Sequence, residues 1–230
     1  MMKKALLILS LFLVTSATLF AQQDITKFMG IPVDGTKSEM IEKLKAKGFT
    51  PSADNKEMMN GTFYGSKVNL FIKTNQDKVY NITVIDEELA NEASVKARFN
   101  NLCRLFTKHH SYQVMLPVPY DKYIIPEHES ITAEIKENGK VYEALFFQTP
   151  ARPINKKIEA EMKEALTAKF TLQEINDRTD AVKEEILNHH FDKLYEIYSK
   201  KSVWFNINEC LGEYSISASF ENGYNLPADK

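Results

Sequence analysis

Apolar and polar residues change period several times along this chain, and each change marks an element. Lys3 and Lys4 precede an apolar run from Ala5 to Val14 interrupted only by Ser10, and Thr15 to Ala21 then leads into Gln22. The run is shorter than the ~20 apolar residues a spanning helix needs, and its basic start and small-residue end are those of a secretory signal peptide. Cleavage is expected after Ala21, which sends the mature chain to the periplasm or beyond. No Cys closes the leader, the first being Cys103, so no lipid anchor is expected there, nor any membrane span in the mature chain.

Past the leader, Thr36 and Glu39 have the spacing of a capping box, Met40, Ile41 and Leu44 form an apolar stripe, and Gly48 supplies a stop. Val68, Leu70 and Ile72 then alternate, as do Tyr80, Ile82 and Val84, with turns at Gly65-Ser66 and Asn75-Gln76-Asp77; this predicts a β-meander. Helical spacing returns from Glu87 to Lys108, where Val95, Phe99, Leu102 and Phe106 share a stripe with Cys103 beside it. Residues 22–110 thus read as a helix–meander–helix module. Residues 111–127 carry Pro117, Pro119 and Pro126 with Tyr112, Tyr120 and Tyr123, the composition of a linker.

A second module is expected over 128–230. Asn138-Gly139 is the strongest hairpin signal in the chain, between Ile131–Glu137 and Lys140–Phe147. That hairpin would set Glu134 directly across from Glu143, a repulsive pair unless it is solvated, holds calcium or shares a proton. Residues 153–200 turn helical: Ile154, Ile158, Met162 and Ala165 make one stripe, and Val182, Ile186, Leu187, Phe191, Leu194 and Tyr198 another. Thr171 and Glu174 repeat the capping-box spacing between them. Ser202–Asn208 and Tyr214–Phe220 alternate around Leu211-Gly212 as a closing hairpin, with Val203, Phe205 and Ile207 on one face. The expected class is α+β: an antiparallel sheet of a meander plus hairpins packed against helices, with a helical insertion in the second half.

The leader removes Lys3 and Lys4 and no acid, so the formal charge moves from −2 to −4. Without a basic excess, neither nucleic acid nor an anionic lipid surface is an expected partner. At 43% apolar residues the chain can bury a core rather than remain disordered. Cys103 and Cys210 are its only thiols; in an oxidising compartment they could form a disulfide worth ~4 kcal/mol on the chain-entropy model, or remain separate buried thiols.

Signs of a reaction are sparse. The five histidines lack zincin spacing; Glu185 and His189 stand four apart, the minimum for two metal ligands, and His190 falls on an apolar stripe. There is no Gly-x-Ser-x-Gly elbow, no glycine-rich phosphate loop and no Cys–His nucleophile pattern. No catalytic residue, metal site or cofactor is therefore expected. Aromatic residues are the better lead, because Tyr and Trp anchor interfaces at little entropic cost. Tyr120 and Tyr123 in the proline-bounded stretch are candidate partner-binding residues, as is Trp204, which alternation sets opposite Val203, Phe205 and Ile207.

The opening Phe28-Met-Gly-Ile-Pro-Val-Asp-Gly-Thr36, the helix end Lys45-Ala-Lys-Gly-Phe49 and the stretch Gly61-Thr-Phe-Tyr-Gly65 resemble a family of secreted, uncharacterised proteins of Gram-negative gut bacteria. The resemblance covers roughly residues 25–108, with weaker likeness over Tyr142–Pro150 and the final hairpin; 154–200 reads as an insertion relative to it. It implies an exported α+β domain and supplies no catalytic residues. Helices followed by a meander are also similar, by fold analogy alone, to the tandem modules of beta-lactamase-inhibitor-like proteins. The function expected is non-enzymatic binding of a protein or envelope ligand through a sheet face, with the helical layer as a cover. The alternative is a small periplasmic hydrolase whose cleft draws on His189, His190 or the Glu134 and Glu143 pair.

Overall fold

The first helix, α1 (Lys37–Lys45), begins where the sequence places it. Thr36 Oγ1 accepts from the Glu39 amide at 3.3 Å, and Glu39 returns a carboxylate oxygen to the Thr36 amide at 2.9 Å, so two otherwise orphaned donors are satisfied reciprocally. Met40 and Leu44 are its fully buried face. The computed structural model describes residues 24–114, 121–150 and 155–228, with side chains from 158 onward in the last stretch. The leader with its Ala21 site and Tyr120 lie outside the described residues.

A small hairpin, β1 (Lys27–Phe28) and β2 (Ile31–Pro32), precedes α1. After it come β3 (Thr50–Pro51) and the meander β4 (Met58–Phe63), β5 (Ser66–Asn75) and β6 (Lys78–Asp86). The β4–β5 loop is Tyr64–Gly65, with φ 45° and 85°, one residue earlier than the Gly65-Ser66 turn expected. Pairing of Phe63 with Ser66 leaves two residues in the loop, and a tight hairpin of that length needs positive φ at both. The second helix, α2 (Glu92–Lys108), buries Val95, Phe99, Leu102, Cys103 and Phe106, the stripe its spacing predicts.

At Asn138-Gly139 the chain departs from the expected hairpin. No hairpin forms there: Ile131–Asn138 is a helix, α3, and Gly139 ends it at φ 62°, its amide bonding to Ile135 O at 3.2 Å. A left-handed glycine serves a helix C-terminus as well as a hairpin turn, and contacts from elsewhere decide between them. Ile131 is buried, and the Glu92 carboxylate accepts from the Ile131 amide (2.8 Å), the Thr132 amide (3.3 Å) and the Thr132 hydroxyl (2.6 Å). A carboxylate on exposed helix-start amides is stabilising. Glu134 accordingly sits on α3, bonded by Asn138 at 3.1 Å, and does not face Glu143.

Beyond Tyr112–Gln113 (β7) and Glu143–Gln148 (β8) come three helices, α4 (Asn155–Lys169), α5 (Leu172–Asp177) and α6 (Asp180–Ser199), then β9 (Ser202–Cys210) and β10 (Glu213–Glu221). All strands from β3 onward join one antiparallel sheet in the order β3-β4-β5-β6-β10-β9-β8-β7. The expected modules on either side of 111–127 thus share one sheet, joined where β6 meets β10 from Ile85–Ser217 to Asn81–Glu221. A helix followed by three strands occurs twice, α1-β4-β5-β6 and α3-β8-β9-β10, each running inward to that junction; α4 to α6 interrupt the second copy between β8 and β9. Both copies bury residues in a single hydrophobic cluster with α2, including Leu70, Ile82, Val203, Phe205 and Phe220.

Candidate functional site

Strand alternation leaves the sheet with a second face. Following the backbone pairing across six strands gives a row Met58–Phe71–Thr83–Ser219–Trp204–Leu145, every member of which is half-buried. The neighbouring row is Asn60–Asn69–Ile85–Ser217–Asn206–Glu143. An antiparallel sheet can leave one face to water, but a purely solvated face carries charge. In these two rows only Glu143, at the β8 end, is charged; the other side chains are aliphatic, aromatic or short and neutral. Each end of the first row is an apolar residue beside an aromatic ring, and its centre is a hydroxyl pair, Thr83 Oγ1 and Ser219 Oγ, 2.8 Å apart. The rings of Phe71 and Trp204 flank the β6–β10 junction, three strand spacings or roughly 14 Å apart.

Short side chains in the trough satisfy one another. Asn60 donates to Asn69 at 2.9 Å, Thr83 to Asn81 at 2.7 Å, and Asn208 to Ser217 at 3.1 Å. These bonds, two across strands and one along β6, fix the amides and hydroxyls in place, which lowers the entropy a ligand must still remove on docking.

A cleft of about 410 Å³ adjoins the β8 side of this face and takes in Tyr123, Tyr142, Leu145 and Trp204. Two of the three sequence candidates, Tyr123 and Trp204, therefore line one site. The Tyr123 hydroxyl donates to Leu145 O at 3.1 Å, and its ring lies 5.4 Å from that of Phe146. Lys122 stands 5.2 Å over the Tyr123 ring and Lys140 4.9 Å over the Tyr142 ring, a favourable placement for a cation. Glu129 organises the floor by accepting from Lys140 (2.6 Å) and the Tyr142 hydroxyl (2.5 Å). The Lys140 bond and then the Tyr142 bond hold the Glu129 carboxyl below its usual range. Burial, then the Glu129 charge, pushes the Tyr142 phenol up, and burial raises Tyr123, so both keep their protons at neutral pH.

The helical insertion borders the same face. Phe147, on the open side of β8, is covered by Tyr198 at a ring distance of 6.2 Å. On α6, Leu187, Phe191, Tyr195 and Tyr198 share one helix face. Tyr198 is docked, whereas Leu187, Phe191 and Tyr195 are 69%, 44% and 56% exposed. The stripe expected to be inward is therefore split: Val182 and Tyr198 near its two ends are buried, while Leu187, Phe191 and Tyr195 are exposed.

The remaining candidates disperse. Cys103 is buried on α2 and Cys210 exposed at the end of β9, both as free thiols, so the possible bridge does not form. Glu185 is bound by Lys169 at 2.6 Å, and the Nε2 of His189 is buried without a hydrogen-bond partner among the described residues. Among those residues, no three His, Cys, Asp or Glu side chains gather as metal ligands. Phe71, Ile85 and Leu145 were missed by sequence reasoning, although alternation between inward Leu70 and Ile72 already aims Phe71 outward. No family model, curated protein or solved structure matches this chain.

Proposed function

We propose that this is an exported, non-enzymatic binding protein of the cell envelope that engages a protein or envelope ligand through the open sheet face and its adjoining cleft. The row from Phe71 to Trp204 carries the reading: two half-exposed rings flanking a pre-bonded polar trough combine apolar anchors with fixed hydrogen-bonding groups, the usual make-up of a recognition surface. The outer strands point the same way. Both β3 and β7 are two residues long, and β3 ends in Pro51, so the edges are poor templates for pairing and a partner is better received on the face. Export rests on the leader, and the stripe on α6 would extend the contact area.

Affinity capture from envelope extract tests the reading, with the processed chain compared against Phe71→Ser/Trp204→Ser and against Leu187→Ser/Phe191→Ser. A partner retained by the parent and lost with the sheet-face pair supports it. An identical set of bound species for parent and sheet-face variant, or none for either, contradicts it.

A further inference from the structure

On the helix-covered side of the sheet, the β1–β2 turn, the β4–β5 turn and the end of α2 converge on a cavity of about 320 Å³. Its inner wall is core: Phe63, Phe106 and Phe220 are 2%, 1% and 1% exposed. Tyr64 and Tyr112 bracket Phe106 at ring distances of 5.7 and 4.3 Å. Both turns reach the cavity with a bulky residue in left-handed backbone, Met29 at φ 48° and Tyr64 at φ 45°, each followed by a glycine. Asn, Asp or Gly ordinarily fills that position, and a large side chain there is strained. Met29 and Tyr64 are thus held at the mouth against their backbone preference.

The polar groups here are donors. Gln148 is fully used: its Oε1 accepts from the Lys27 amide at 2.8 Å, and its Nε2 donates to Lys27 O at 2.5 Å and the Tyr112 hydroxyl at 3.3 Å. Nδ1 of His109 accepts from the Ser111 amide at 3.2 Å, which leaves the proton of the neutral ring on Nε2. Burial raises the Tyr64 phenol and pushes that of Tyr112 up to about 12, so both remain O–H donors at neutral pH. No Asp or Glu lines the cavity, and Lys27 makes no ion pair among the described residues.

From this complementarity we propose that the cavity is a binding site for a small aromatic carboxylate of one or two rings, separate from the open face. The ring packs at the mouth against Met29 and Tyr64, 40% and 46% exposed, over the closed floor of Phe63, Phe106 and Phe220, and the carboxylate meets Lys27 and the Nε2–H of His109 at the rim. The volume lies at the lower end of small-molecule sites. An anion is selected because a cation would find no carboxylate to neutralise it.

Calorimetric titration of the processed protein with indole-3-acetate, and with tryptamine as the same ring bearing a cationic tail, tests the assignment. Indole-3-acetate should bind saturably and tryptamine should not. Lys27→Glu, which alters an exposed side chain, should weaken indole-3-acetate about three- to tenfold without moving the thermal midpoint. Amide shifts in an NMR titration should centre on Tyr64 and Tyr112. Absence of saturable binding, equal binding of tryptamine, unchanged affinity in Lys27→Glu, or shifts confined elsewhere would each overturn the proposal.

Discussion

Glu92 holds Thr132 by both its amide and its hydroxyl, at 3.3 and 2.6 Å, and so ties the start of α2 to the start of α3 across 40 residues. The Thr132 hydroxyl bond, followed by the Ile131 and Thr132 amides, keeps the Glu92 carboxyl below its ordinary value. A carboxyl depressed in the folded state contributes stability that is complete above its unfolded pKa of about 4.3 and is lost as pH falls through the folded value. Glu92→Gln should therefore cost about 1 kcal/mol at pH 7 and nothing at pH 2. Urea unfolding at the two pH values measures the difference; an equal cost at both would mean the charge is not what secures α3.

The two sides of the sheet should respond oppositely to truncation. Phe205 is fully buried, with its ring 4.6 Å from Phe106 and 5.7 Å from Phe146, so Phe205→Ala should cost about 3–5 kcal/mol. Trp204, its neighbour in sequence, points to the open face and is half-buried, so Trp204→Ser should cost about 1 kcal/mol. Thermal denaturation of the pair decides whether the open face is a surface or a second core.

That distinction was legible in the sequence, because period-two alternation is local and Val203, Phe205 and Ile207 leave only one face for Trp204. The capping box at Thr36 and Glu39 and the stripe of α2 were legible for the same reason. Asn138-Gly139 was not, since its local signature fits two structures and the choice rests on Glu92 and on burial of Ile131. Pairing of β6 with β10 was equally hidden: Ile85 and Ser217, 132 positions apart in the chain, are brought together by topology, and no short-range pattern encodes it. The cleft likewise gathers distant stretches of chain, α2, residues 122–129, β8 and β9, so Tyr123 and Trp204 could be named singly but not placed together.

On α6 the exposed stripe should be dispensable for folding. Leu187→Ser/Phe191→Ser/Tyr195→Ser removes apolar surface from water and should change stability by less than about 1 kcal/mol, whereas Val182→Ala, at a buried position of the same helix, should cost about 2 kcal/mol. The triple variant should also elute earlier than the parent from a phenyl resin, because an exposed apolar patch governs retention. Unchanged retention would mean that the stripe is covered in solution.

Lys201 and Asp24 meet at 2.7 Å where α6 gives way to β9, and they are unequally exposed, the lysine side chain 3% and the aspartate 35%. Lys201 also donates to Thr149 O at 3.3 Å. Removing one partner of a pair is costly when the survivor is a buried charge and cheap when the survivor can be hydrated. Asp24→Asn strands the ammonium and should cost about 2–3 kcal/mol, while Lys201→Met leaves a partly hydrated carboxylate and an apolar chain of matching length, and should cost less than about 1 kcal/mol. Burial lowers the Lys201 pKa in the folded protein, so folding with the charge retained is penalised below that value, and the penalty fades as pH rises toward the ordinary lysine value of about 10.4. The deficit of Asp24→Asn relative to the parent should accordingly narrow between pH 7 and pH 9.5 in chemical denaturation, and that of Lys201→Met should widen, because the parent sheds its penalty over that range and the methionine has no proton to lose. A constant deficit for Asp24→Asn would show that Asp24 acts by packing alone.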